Sequence, residues 1–264
     1  MKIKDKIILV TGGANGIGKA LCEKFASEGA AKIYVADIDF DNAEKVAESV
    51  NGKAFSLDVS DEENCKSVVA EILNESGRLD FIASNAGIGG AEGSLEVSNK
   101  VWRKIYEINV LSHVFLARAA FPAMIENGSG AFLITASAAG LLTHPTATPY
   151  VVTKHGAVAL AESFAIEFGD KGIYVSCLCP QGVRTDLIMG GENNPNLFLL
   201  PESISAEECA DIVVKNLEAE NFLILPHAEV GDYIVKKAEN RDRWLGAMKK
   251  IRGAVLDSRN TKYD

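Results

Sequence analysis

Two side chains four residues apart, Tyr150 and Lys154, carry the clearest chemical signal in the sequence. In a helix, positions i and i+4 stack on one face, so the Lys154 ammonium and the Tyr150 phenol share one small volume. A free tyrosine has a pKa near 10, leaving about one molecule in a thousand ionised at neutral pH. A cation about 4 Å away, at an effective dielectric of about 20, contributes roughly 4 kcal/mol, or about 3 pKa units. The pair is therefore expected to form a proton acceptor in which Lys154 lowers the phenol pKa. Taken singly, Tyr150 also reads as a half-buried helix residue and Lys154 as a solvated charge. Of the other candidate bases, His144 lies in a Thr-His-Pro loop, and His155 sits about 100° around the helix from Lys154. Both are set aside.

Positioning such a pair requires a scaffold, and the chain supplies alternating strand and helix patterns. Lys6–Val10 is a short apolar run that breaks at Thr11-Gly-Gly-Ala-Asn-Gly-Ile-Gly18 before a helical pattern through Ala20, Leu21, Phe25 and Ala26. Strand, glycine turn and helix N-terminus together make an anion site suited to a pyrophosphate. The glycine spacing is G-x-x-x-G-x-G rather than the general G-x-G-x-x-G, and an ordinary glycine-rich turn is the alternative. A second run, Lys32–Ala36, ends at Asp37, 19 residues beyond Gly18, close to the spacing at which an acid meets the adenosine ribose. With Ile38 beside it and Asp39 and Asp41 following, like-charge repulsion is expected to exclude a 2′-phosphate, so NAD is expected over NADP.

The alternation continues. Strand Ala54–Leu57 leads to Asp58-Val59 and a helix opened by the capping pattern Ser60-Asp-Glu-Glu63. Strand Leu79–Ala83 runs into Ser84-Asn85-Ala86-Gly87; a helix over about 100–126, a strand at Ala131–Thr135, the Tyr150 helix to about Phe168 and a strand at Ile173–Cys177 follow. A helix near Ala206–Glu218 and a last strand at Phe222–Leu225 complete the series. The expected architecture is a single α/β domain spanning 1–264, a Rossmann-type doubly wound parallel sheet of about seven strands with helices on both faces. Residues 186–204 have loop punctuation at both ends and an apolar middle, and are expected to form a substrate lid. The extension 227–264 carries nine Lys/Arg against six Asp/Glu on an otherwise acidic chain. In it Trp244, Leu245, Met248 and Ile251 recur at helical spacing, predicting an amphipathic helix docked on the chain's own body or on another subunit.

A net charge of −9 argues against a nucleic-acid surface and favours small-molecule chemistry. Five scattered cysteines without zinc-knuckle spacing read as reduced thiols of a cytoplasmic protein, with no metal site. The apolar start stops too early for a signal peptide, and no membrane-spanning segment or membrane partner is expected.

With these residues assembled, the chain to about residue 226 resembles the short-chain dehydrogenase/reductase family. The turn Thr11–Gly18 is similar to its cofactor loop, Asn85-Ala86-Gly87 to its Asn-Ala-Gly element, and Tyr150 to Lys154 to its Tyr-x-x-x-Lys signature. Ser137, 13 residues before Tyr150, and Asn109, 28 before Ser137, have spacings similar to those of the family's catalytic serine and asparagine. The resemblance implies hydride transfer between NAD(H) and a secondary alcohol or ketone. Tyr150 would exchange the proton, Lys154 would also bond the nicotinamide ribose, Ser137 would orient the substrate oxygen, and Asn109 would hold a water in the proton path. It further implies cofactor contacts from Gly12, Asn15, Gly16, Ile17, Gly18, Asp37, Ile38, Asp58, Val59, Asn85, Ala86, Gly87, Pro180, Gly182, Val183 and Thr185, besides Tyr150 and Lys154. Within these, Asp58 would meet the adenine amino group and Thr185 the carboxamide. The expected partner is a small alcohol or ketone within a homo-oligomer, dimer or tetramer. Gln181 stands where the family usually has glycine, and Ser84 where it often has asparagine. An apolar pocket is expected from Leu141, Leu142, Ile188, Leu197 and Phe198, suited to steroid-like, alicyclic or aliphatic alcohols. An NAD(H)-sensing regulator and an NADP-dependent reductase are the alternatives.

Overall fold

Short runs of Ile, Val, Leu and Phe flanked by glycine and polar residues form the strands, because a sheet covered on both faces buries its residues in both directions. A computed structural model describes residues 1–89, 92–189 and 197–260. Its elements are β1 (Ile7–Thr11), α1 (Gly16–Ser27), β2 (Lys32–Asp37), α2 (Phe40–Ser49), β3 (Lys53–Ser56), α3 (Glu62–Ser76), β4 (Phe81–Ser84), α4 (Asn99–Tyr106) and α5 (Ser112–Glu126). They continue with β5 (Gly130–Thr135), α6 (Thr148–Phe168), β6 (Ile173–Leu178), α7 (Asp186–Met189), α8 (Ala206–Glu218), β7 (Leu223–Ile224), α9 (Glu229–Glu239) and α10 (Arg241–Asn260).

The strands form one seven-stranded sheet in the order β3-β2-β1-β4-β5-β6-β7, with every neighbouring pair parallel. Along β1, Ile7 and Leu9 enter one core with α3, α5 and α6. Ile8 and Val10 enter the other with α1, α2 and α8. This two-residue alternation is the strand period itself, and it packs helices on both faces. The order reverses between β1 and β4, so a crevice opens at their carboxyl ends, where such sheets bind ligands.

Two local expectations are corrected. The α3 cap is Asp61, whose carboxylate accepts from the Glu63 and Asn64 amides; Ser60 instead bonds Asp58. The helix expected over 100–126 is broken by a π-helical turn at Glu107–Leu111. Within Asn99–Glu126 an 18-residue window has mean hydropathy 1.4 and is 50% buried, its apolar residues Leu116, Ala120 and Phe121 packing into the core. In the expected lid, α7 and a 3-10 turn at Leu197–Glu202 lie at the two ends. Gly190, Gly191, Asn193, Asn194, Pro195 and the Leu197 side chain lie outside the described residues.

Candidate active site

The turn between β1 and α1 is built around an exposed helix end. Asn15 occupies the α1 N-cap with no side-chain cap bond, so the first amides of the helix are left for an anion. Gly12 and Gly16 have φ of +65° and +53°, which L residues rarely adopt. A Cβ on Gly12 would lie 2.9 Å from the Ala86 Cα, and one on Gly16 2.9 Å from the Thr185 Cγ2. The turn is tied to its surroundings: Asn85 Nδ2 donates to the Thr11 and Gly12 carbonyls, and Asp37 Oδ2 accepts from the Ala14 amide at 3.1 Å. The Thr11 hydroxyl accepts from the Asn85 and Ala86 amides.

A cleft of about 400 Å³ runs along this turn, past Asp37, Ile38, Asp58, Val59, Asn85, Ala86 and Gly87, to Tyr150, Lys154, Pro180 and Thr185. Its residues fit a nicotinamide dinucleotide: open helix amides and a cradle that side chains would fill at one end, the tyrosine and lysine at the other. Asp58 Oδ1 holds Ser60, and Ile38 is 72% exposed at the rim. Asp39 caps α2 by accepting from the Asn42 amide.

Three expected cofactor residues stand behind this cleft rather than in it. Gly18 packs α1 against β1, where a Cβ would fall 1.9 Å from the Gly12 carbonyl oxygen. Gly182 accepts from the Ile204 amide and lies where a Cβ would meet the Leu199 carbonyl at 2.7 Å. Val183 is buried in a bridge to Ile204.

Tyr150 and Lys154 occupy the first turns of α6, with Pro149 near its start. Lys154 shares the volume of the Tyr150 ring as expected, but the expected lowering of the phenol pKa is corrected. Lys154 is 4% exposed and donates to the Thr135 carbonyl at 2.9 Å, while its Nζ lies 5.7 Å from the centre of the Tyr150 ring. Burial pushes the Lys154 pKa down from 10.5 to about 8. Burial also raises the Tyr150 phenol, opposed by its bond to the Ser137 hydroxyl and reinforced by the Cys179 thiol. On balance the phenol pKa is raised, with the Lys154 charge 5.7 Å from the ring centre.

Ser137 follows β5 in extended backbone and caps a 3-10 turn, its Oγ accepting from the Ala139 amide at 3.1 Å. Asn109 lies in the π turn and is fully buried. Its Nδ2 donates to the Ile88 carbonyl and to Thr153 Oγ1, and its Oδ1 accepts from the Ile88 amide. The Asn109 side chain thus braces the loop after β4 against α6 and borders neither cavity described here. Beneath it, Ser84 meets His113 Nδ1 at 2.6 Å. Burial and the Lys154 charge hold this histidine near a pKa of about 3, with the Asn109 backbone opposing.

A second, apolar cavity of about 350 Å³ opens on the other side of Tyr150. Ser137 lines it, as do the expected Leu142, Ile188 and Phe198; Leu141 is not in its wall and packs in the core beside it. His144, set aside in the sequence, stands in this wall against the Phe198 ring at 5.3 Å. Gln181 borders the cavity, and its backbone N–H donates to His227 Nδ1 at 3.3 Å. Tyr233, Trp244, Met248 and Ile251 of the C-terminal extension close it. The apolar stripe of the extension was legible from spacing, but the cavity it covers was not. All five cysteines are free and buried.

A dinucleotide-type cleft at the switch point, sharing Tyr150 with an apolar cavity, defines an oxidoreductase built on the doubly wound sheet. The short chain dehydrogenase pattern matches residues 6–195. The 1-deoxy-11-beta-hydroxypentalenate dehydrogenase of Streptomyces exfoliatus is 32% identical over 237 residues, covering 87% of this chain and 86% of that one. The 2,5-dichloro-2,5-cyclohexadiene-1,4-diol dehydrogenase of Sphingobium indicum is 38% identical over 196 residues, covering 73% and 78%. A short chain dehydrogenase/reductase of Burkholderia phymatum, solved with NAD, superposes with a TM-score of 0.84 at 24% identity, covering 92% of this chain and 96% of that one. The chain belongs to the short chain dehydrogenase/reductase family and is an oxidoreductase acting on hydroxyl groups.

Proposed function

We propose that this protein is an NAD(H)-dependent dehydrogenase that interconverts an apolar secondary alcohol and its ketone. One observation carries the reading: the Tyr150 side chain borders both the cofactor-type cleft and the apolar cavity, so its hydroxyl stands where a substrate carbon faces a nicotinamide. The cofactor supplies the chemistry of accepting or returning a hydride. The chain's own part is positional and protonic. In oxidation, Tyr150 takes the proton of the alcohol hydroxyl as the carbon–hydrogen bond gives up its hydride; in reduction it returns that proton to the carbonyl oxygen. Ser137, which lines the apolar cavity together with Tyr150, holds that oxygen. Lys154 keeps a positive charge beside the Tyr150 ring near neutral pH, since its pKa of about 8 lies above 7. Asn109 keeps α6 and the loop after β4 in register through Thr153 and Ile88.

NAD rather than NADP is supported by Asp37 at the end of β2, with the exposed Ile38 and no arginine beside it. A 2′-phosphate would meet a carboxylate there. The relative named for a cyclohexadienediol supports a ring alcohol as substrate. The test is to mix purified protein with NAD and a panel of cyclic secondary alcohols and to follow NADH absorbance. Tyr150→Phe is expected to lower kcat about 10²–10⁴-fold, the usual contribution of a positioned proton-transfer group, while NADH still binds. Turnover that survives this substitution refutes the assignment.

A further inference from the structure

We propose that the Gln181 side chain binds a second oxygen of the substrate, so that the alcohol this protein takes is a ring compound with a further hydroxyl or carbonyl group. The proposal rests on the dehydrogenase reading above and names the substrate class of that same site.

The residue stands where a glycine would leave open space, and its neighbours decide which way it serves. Pro180 borders the cofactor-type cleft, whereas Gln181 borders the apolar cavity and not the cleft. Its carboxamide therefore belongs to the substrate side of the site. The Pro180 carbonyl accepts from the Ala138 amide at 2.8 Å and from the Ser137 hydroxyl at 3.5 Å. Gln181 is thus anchored one residue from a group that touches Ser137, the residue that holds the reacting oxygen. Consecutive Cα atoms lie about 3.8 Å apart and a glutamine side chain reaches about as far again, which places the second oxygen roughly 5–7 Å from the first. That is the span across a six-membered ring.

The backbone on both sides is fixed. Gln181 N–H donates to Nδ1 of the buried His227 at 3.3 Å, and the Gly182 carbonyl accepts from the Ile204 amide at 3.0 Å. The carboxamide itself is uncommitted. Among the described residues it has no hydrogen-bond partner, and the residue is half-buried. Two other polar groups of the wall are differently placed, since His144 Nε2 and Trp244 Nε1 are closed off from open space. A carboxamide offers two N–H donors and one acceptor oxygen. When a ligand fills an apolar cavity it displaces the water around such a group, and a ligand without a matching oxygen leaves the group unpaired. A second oxygen removes that penalty. A hydroxyl pairs with either end of the carboxamide, a ketone only with its N–H.

The experiment has two readouts. In the first, kcat/KM with NAD is measured for cyclohexanol, cyclohexane-1,4-diol and 4-hydroxycyclohexanone, the diol value being halved for its two equivalent hydroxyls. The parent is expected to prefer both oxygenated substrates about tenfold, chiefly through a lower KM. Gln181→Leu keeps the bulk and is expected to abolish both preferences. Gln181→Glu keeps an acceptor and loses the donors, so it is expected to retain the preference for the diol and lose that for the hydroxyketone. The second readout needs no turnover: cyclohexane-1,4-dione and cyclohexanone are titrated calorimetrically into protein saturated with NAD, which oxidises neither. The parent is expected to bind the dione about tenfold more tightly, and Gln181→Leu to bind both alike. A parent that treats oxygenated and plain rings alike in both readouts overturns the proposal, as does a folded Gln181→Leu variant that keeps the preference. A dione preference that depends on Gln181, without turnover of any alcohol, overturns the dehydrogenase reading and leaves the Gln181 site standing.

Discussion

Lys154→Met tests the electrostatics of the site most directly, because it removes a charge while keeping the bulk of the side chain. Lys154 is 4% exposed and donates a hydrogen bond to the Thr135 carbonyl. Burial lowers its pKa from 10.5 to about 8. Between those values the unfolded chain binds a proton that the native chain does not. The stability contribution of this residue is therefore present above pH 10.5 and is lost as pH falls through about 8. The full shift corresponds to about 3 kcal/mol at roughly 1.4 kcal/mol per pKa unit. At neutral pH that penalty is offset by a charged hydrogen bond worth about 1.5–3 kcal/mol, so the variant should be at least as stable as the parent there. The assay is urea unfolding of both proteins without cofactor at pH 7 and pH 10. The parent should gain about 2–3 kcal/mol on the variant over that interval, and the variant should lose alcohol oxidation. A stability difference that stays flat with pH refutes the buried-cation account of the site.

Three further outcomes are expected. Asp37→Ala should weaken NADH about tenfold or more, by loss of charged hydrogen bonds, and narrow the gap to NADPH in fluorescence titrations; a parent that already prefers NADPH refutes the Asp37 argument. His113 is buried with a pKa depressed from 6.5 to about 3, so its stabilising effect is present above pH 6.5 and is lost as pH falls toward 3. His113→Asn should therefore abolish about 2 kcal/mol of the parent's stability loss between pH 7 and pH 4.5 in urea melts. Gly18→Ala should drive a Cβ into the Gly12 carbonyl, 1.9 Å away, and onto the Asn85 amide at 2.7 Å. A cost of about 1–3 kcal/mol or more should appear as a lowered Tm with NADH binding abolished, and a variant that binds NADH normally refutes the packing role assigned to that glycine.

Much of the scaffold was legible because it rests on short-range chemistry. The apolar strand run ending at Val10, the glycine turn and the helix from Ala206 to Glu218 all follow from residues near one another in the chain. So did the Tyr150 and Lys154 spacing, since α6 forms where expected. Errors arose where two local solutions competed. Ser60 and Asp61 both suit a cap, and Asp61 wins because Asp58 engages the Ser60 hydroxyl. The π turn at Asn109 leaves no mark in an otherwise helical pattern.

By itself, the sequence determined the alternation of strands and helices, the anion-binding turn, and a tyrosine and a lysine on one helical face. These are properties of backbone period and turn geometry. Only the tertiary structure decided what the lysine does with its charge and which residues wall the apolar cavity. The ammonium follows the nearest carbonyl in a desolvated interior, and that carbonyl belongs to Thr135 on β5. Trp244, which comes to the site from far along the chain, lines the cavity. Desolvation and cavity shape are set by groups that meet only in the folded chain, and no local spacing encodes them.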